Sequence, residues 1–107
     1  MSDVSDAVAR SADAAGLSAP VPTLLLELQS LLGALSTAVT TQTDRGRRPF
    51  RPGPEWPARL GELAFGLYLL ADQTGVDVDA AVTVTAAGLQ RRPGPARGEG
   101  GWPFETA

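Results

Sequence analysis

Acid, base or metal chemistry in this chain has to come from carboxylates, because it contains neither histidine nor cysteine. The commonest general base and the usual zinc ligands are therefore absent. Disulfides and thiolate sites are excluded as well. A carboxylate-only inventory suits a hard cation such as Mg²⁺. Two glutamates lie inside apolar helical sequence, Glu27 and Glu62. Arg59 precedes Glu62 by three residues, so the two share a helix face. That spacing is open to two outcomes: Glu62 as a metal ligand, or Glu62 held in an ion pair. Asp72 lies on a different side of the same helix near its end, where negative charge is mildly unfavourable and invites a partner.

The other chemistry is guanidinium. All nine basic residues are arginine. Arg45, Arg47, Arg48 and Arg51 crowd one Pro/Gly-rich loop with Phe50 and Trp56, and Arg91 and Arg92 follow the last helical pattern. Arginine forks match phosphate oxygens. Arg47, Arg48 and Arg51 are thus candidate phosphate ligands, and Arg91 and Arg92 suit the C-terminal end of the helix dipole. The alternative is a solvated loop whose two aromatics pack on the helices.

Four helical segments must position these groups. The first spans about 5–15, is mostly alanine with Val4 and Val8, and stops at Gly16; it is weak alone. A Pro-rich connector follows. The second spans about 24–41, with Thr23 a predicted N-cap. Leu24, Leu28, Leu31, Leu32, Leu35, Ala38 and Val39 share one face at helical spacing. The loop 43–57 contains four prolines and two glycines, which forbid a regular helix. The third helix spans about 58–74, with Gly75 as its stop. Leu60, Leu63, Ala64, Leu67, Leu70 and Ala71 form its main apolar face, and Phe65 and Leu69 lie roughly opposite, beside Gly66. A helix apolar on two faces needs cover on both. Phe65, Gly66 and Leu69 are therefore the predicted subunit interface.

The fourth helix starts after Asp77, a good N-cap, with Asp79 in its first turn. It runs to about Arg91 or Arg92, with Val78, Ala81, Val82, Thr85 and Leu89 inward. The β-like run at 82–86 lies between a strong N-cap and a basic C-terminus, so helix is predicted there too. The result is an all-α fold, simplest as a four-helix bundle completed by oligomerisation. The organisation read from the chain is 1–22 as weak helix and connector, 23–93 as the helical domain and 94–107 as a Pro/Gly-rich tail whose "GWPF" is a candidate docking element.

Composition narrows the partners. The 107 residues suit one domain, and a helical chain this short often completes its core with a partner. Net charge is −3, which gives no pull toward nucleic acid or anionic membrane. The N-terminal sequence is acidic without a continuous apolar run, so neither signal peptide nor anchor is expected. No segment was expected to span a bilayer, and a cytoplasmic location follows by default.

The stretch "LGELAFGLYLLADQTGVDVDAAV", and above all its "LAD-x-x-G-V-D" join at 70–77, resembles the later helices of MazG-like nucleotide pyrophosphohydrolases. The resemblance covers about 24–93. It implies an all-α dimer or tetramer that hydrolyses nucleoside triphosphates to monophosphates and pyrophosphate with Mg²⁺. Family members carry Glu-Glu-x-x-Glu on one helix and Glu-x-x-Asp on the next, so that carboxylates converge on Mg²⁺. In register, the second group falls on Arg59 and Glu62, and the first on Ser30, Leu31 and Ala34. Glu27 lies one turn before the first group. The family's Lys and Asn near the nucleotide fall in the stretch of Thr85 and Leu89, ahead of Arg91 and Arg92, which the resemblance implies as phosphate ligands together with the loop arginines. The implied metal site is thus degenerate, with Glu62 and Glu27 its remaining candidate ligands. The expectation is a MazG-like chain without catalysis or cofactor, which binds a nucleotide or other phosphorylated ligand or serves as an oligomeric scaffold. The alternative is an active Mg²⁺-dependent pyrophosphohydrolase with a rearranged site. A homodimer or homotetramer is the expected state, with no membrane partner and no nucleic acid.

Overall fold

The first three helices end where the chain turns left-handed. A computed structural model describes residues 3–17 and 19–91, and these form four helices with no strand among them. They are α1 (Asp3–Ala14), α2 (Val21–Gln42), α3 (Trp56–Gln73) and α4 (Val78–Gln90). Arg92 and the tail 94–107, with its GWPF, lie outside the described residues.

α1 and α3 stop in the same way. Gly16 and Gly75 have φ of 70° and 72°. Leu17 N–H reaches back to Ala12 O at 2.8 Å, and Val76 N–H to Ala71 O at 2.9 Å. The shorter back-bonds, Gly16 to Asp13 and Gly75 to Asp72, complete two Schellman motifs. α2 makes the same turn without glycine. Asp44 and Arg45 have φ of 50° and 56°, and Arg45 N–H bonds Thr40 O at 2.8 Å. Non-glycine residues there carry strain of about 1 kcal/mol each. Thr43 offsets it. It is the one buried polar residue described, its hydroxyl donates to Val39 O at 2.7 Å, and it accepts from Gly46 N–H at 3.1 Å.

The helix starts correct the sequence. Thr23 is not an N-cap: α2 begins at Val21, with Pro20 at the cap and no side-chain cap bond. α3 begins at Trp56, two residues before its predicted start, with Pro57 inside its first turn. The reason is shared. Proline lacks an N–H, but the first turn of a helix has no partner for one, so it is accommodated there.

Up to Asp77 the chain is one compact unit in which α3 packs against both α2 and α1. Helices α2 and α3 run antiparallel: Ala38 lies by Trp56, Leu28 by Gly66 and Leu24 by Leu69. Val8, Ala12, Leu24 and Leu69 form the buried cluster, with Ala19, Phe65, Tyr68 and Leu70 packed on it. α1, weak alone by its sequence, packs on α3 within this unit. The cluster also overturns an expectation. The set Phe65, Gly66 and Leu69 is no free subunit interface: Leu69 is buried among α1 and α2 residues, Phe65 packs on that cluster and Gly66 faces Leu28. Residues 65 and 69 are one turn apart on the face that α1 covers, which is why the second apolar face of α3 finds its partner within the chain.

The predicted inner stripe of α3 is covered only in part: Ala71 is buried and Leu70 packs on the cluster, but Leu60 and Leu67 are 44% and 47% exposed. On α2, Leu24 and Leu35 of the predicted stripe are buried while Leu32 is 54% exposed, and Leu25, outside that stripe, is 46% exposed. α2 itself is 22 residues long with mean hydropathy 1.3 over its best 18-residue window. By length and composition it is long enough to cross a bilayer, contrary to the expectation that no segment was.

The second unit begins at Val78. α4 starts directly after Asp77 and stays helical through the β-like run 82–86. Thr83 and Thr85 turn their hydroxyls onto the carbonyls of Asp79 and Ala81, at 2.9 Å each. None of its residues is buried, and the expected inward Val82 is 59% exposed.

Glycine position decides the sign of one substitution. Gly75→Ala forces a Cβ into the left-handed region and is expected to lower unfolding stability by about 1 kcal/mol. Gly61→Ala lies in a helix with nothing within 4 Å of the new Cβ and is expected to raise it by up to about 1 kcal/mol. Paired urea titrations check both, and the same sign for both would refute this assignment.

Candidate functional site

Gly66 lets α2 and α3 approach closely. A Cβ there would stand 2.6 Å from Leu28 Cδ2. Toward the N-terminal end of α3 the two helices line a cleft of about 370 Å³. From α2 come Leu31, Ala34, Leu35 and Ala38, spaced three and four apart on one face. From the start of α3 come Glu55, Trp56, Arg59 and Glu62. The two alanines leave room opposite the larger side chains.

The positions assigned by the family register therefore converge, apart from Ser30. Leu31 and Ala34 of the first group and Arg59 and Glu62 of the second line one cleft. What converges is not a metal set. Arg59 Nη1 donates to both Glu62 carboxylate oxygens, at 3.0 and 3.3 Å. Both side chains are about half exposed, which limits the pair to a few tenths of a kcal/mol. Glu27 shares the helix stripe of Leu31 and Ala34, at i+4 and i+7, but is exposed and does not line the cleft. Among the described residues, no three Asp or Glu side chains converge where a cation could be held. Mg²⁺ takes about six oxygen ligands. Here it would compete with Arg59 for Glu62 and have Glu55 as the only other acid of the cleft, so the donor set does not fit it.

Glu55 was not singled out in the sequence. It occupies the N-cap position of α3 in helical geometry and makes no side-chain cap bond. Its carboxylate lies over Gly53, where a Cβ would come within 2.7 Å of Oε2. The "PGPE" spacing at 52–55 was the available signal, since glycine permits close approach of a neighbouring group.

The loop arginines stand elsewhere. Arg45, Arg47, Arg48 and Arg51 are exposed, and none of them lines the cleft. Arg47 meets Asp44 at 3.6 Å on the open surface. Arg51 is engaged through its backbone: its N–H bonds Gln42 Oε1 at 3.1 Å and its carbonyl accepts from Gln42 Nε2 at 2.6 Å. The Gln42 amide thus serves as a one-residue strand partner and pins the loop to the end of α2. Phe50 and Trp56 close it, with ring centroids 5.0 Å apart at 65°, a favoured edge-to-face pair. Arg91 is exposed at the end of α4, in the second unit.

A second concavity is wholly different. Leu25, Leu28, Gln29 and Leu32 of α2 and Leu60, Leu63, Ala64 and Leu67 of α3 line an open groove of about 610 Å³. It carries no charge. On α3, Leu60 and Leu67 lie about 100° or more around the helix from Arg59 and Glu62 respectively, by the 3.6-residue period. Cleft and groove therefore use different faces of the two helices and share no lining residue.

No family model, curated protein or solved structure matches the chain.

The ion pair accounts for Glu62 only if its coupling to Arg59 is small and local. A double-mutant cycle of Arg59→Ala and Glu62→Ala is expected to return about 0.5 kcal/mol or less. A coupling several times larger would mean that the pair is less screened by water than its half-exposed geometry implies.

Proposed function

We propose that this chain is a MazG-like protein with a degenerate metal site, without catalysis, whose helical pair acts as an oligomeric scaffold. One observation carries the reading. The cleft that gathers the register positions contains Leu31, Ala34 and an Arg59–Glu62 ion pair where a pyrophosphohydrolase needs converging carboxylates. A Mg²⁺–triphosphate complex would meet an apolar wall and one guanidinium there. The phosphate-binding role of Arg47, Arg48 and Arg51 receives no support from this cleft, which they do not line.

The scaffold half rests on the leucine groove. Among the described residues the chain buries only six apolar side chains, and none of its large side chains is fully buried. Each of the leucines left about half exposed forgoes about 1 kcal/mol of burial. An uncharged leucine groove is self-complementary about a two-fold axis, where the same patch meets itself. A second copy is also the one partner available in equal amount whenever the chain folds. The face involved is Leu25, Leu32, Leu60 and Leu67, not Phe65, Gly66 and Leu69. The dimer or tetramer is in this reading cytoplasmic and assembles by apolar contact.

Light scattering on the full chain is expected to give at least twice the chain mass. Leu32→Glu combined with Leu67→Glu is expected to yield monomer or unfolded chain. A well-folded wild-type monomer would overturn the scaffold, and vesicle binding by that monomer would assign the leucine face to lipid instead. The alternative, an active enzyme with a rearranged site, predicts pyrophosphate release from a nucleoside triphosphate panel with Mg²⁺ and its loss in Glu62→Gln. The expected outcome is no release above background.

A further inference from the structure

We infer that the cleft between α2 and α3 binds a small organic cation, with an aromatic or branched aliphatic body and one ammonium or amidinium group. This rests on the non-catalytic reading of the same cleft. Its charge is the first argument. Two carboxylates and one guanidinium line it, and the guanidinium is already committed to Glu62. Glu55 has no ion pair or side-chain hydrogen bond among the described residues. One negative charge therefore stands unneutralised at the mouth. A triphosphate or other polyanion is repelled by it, and a cation is matched.

Shape and surface are the second argument. At about 370 Å³ the cleft sits at the small end of ligand sites. That is room for a ring with a short arm. Its lining is mostly apolar: Ala34 and Ala38 form a shallow floor on α2, and Trp56 stands across from it on α3. Tryptophan is the aromatic side chain that attracts cations most strongly, and the Phe50 ring fixes it by an edge contact. The body of the ligand fills the floor, and its charge meets Glu55 beside the indole.

The leucine groove does not compete for this role. It has no charged group to orient a polar ligand, and it shares no lining residue with the cleft.

The test uses three probes of one size: 2-phenylethylammonium, 2-phenylethanol and phenylacetate. Trp102→Phe leaves Trp56 as the only indole, so its fluorescence reports the cleft. The cation is expected to saturate the signal. The alcohol and the anion should bind about tenfold more weakly or not at all. Glu55→Gln should weaken the cation about tenfold and leave the alcohol unchanged. Ala38→Leu should fill the floor and abolish binding of all three, with helix content by circular dichroism confirming that the variant folds. Should Ala38→Leu fail to fold, Gly53→Ala, which displaces the Glu55 carboxylate, must weaken the cation alone. The inference is overturned if phenylacetate binds as well as the cation, if no probe saturates, or if Glu55→Gln leaves the cation unaffected. Chain mass and pyrophosphate release are read separately, so failure of the scaffold or of the non-catalytic reading is distinguishable from failure of this one.

Discussion

The contact of Gly66 on α3 with Leu28 on α2 sets the geometry on which the rest depends. With no side chain at 66, Leu28 packs onto helix backbone, and a Cβ would have to displace it. Close approach at this point fixes which residues become neighbours along the whole seam. Toward one end it brings Leu24 and Leu69 together, where α1 adds Val8 and Ala12. Toward the other it places Ala34 and Ala38 across from Trp56 and Arg59. The same seam thus yields a small core at one end and a cleft at the other. The difference is that α1, 12 residues long, packs where Leu24 and Leu69 meet.

That limited coverage explains where apolar surface is left over. α2 and α3 are apolar around much of their circumference, and each has only two flanks along the seam. α1 closes part of one flank. The other remains an uncharged row of leucines on both helices. Hydrophobic burial is the main favourable term in folding and scales with the area removed from water. A unit that leaves Leu25, Leu26, Leu32, Leu60 and Leu67 between 44% and 63% exposed forgoes part of that term.

The loop between α2 and α3 is tied down at several points. Asp44 and Arg45 accept left-handed strain, Thr43 secures the turn and Gln42 pins Arg51 by paired amide bonds. These contacts deliver Trp56 and Glu55 to the cleft mouth. The loop arginines Arg45, Arg47, Arg48 and Arg51 are exposed and do not line the cleft. The loop's effect on the site is therefore indirect, through the two residues at its far end.

Local features were legible in the sequence because their causes are local. The all-helical class, the glycine stops at 16 and 75, the α4 start after Asp77, the helical fate of the run 82–86 and the three-residue spacing of Arg59 and Glu62 follow from backbone preferences and helical period, which act within a few residues. The convergence of Leu31, Ala34, Arg59 and Glu62 on one cleft was legible only through register on a resembling pattern. The tertiary structure alone decided which face of α3 is inside. Both faces are apolar, so periodicity cannot rank them, and the choice depends on α1, some fifty residues away in sequence. It also decided that Glu55 faces the cleft and that the loop arginines do not, because those outcomes depend on how a proline-rich loop is tied down at Gln42, a contact that no local propensity encodes.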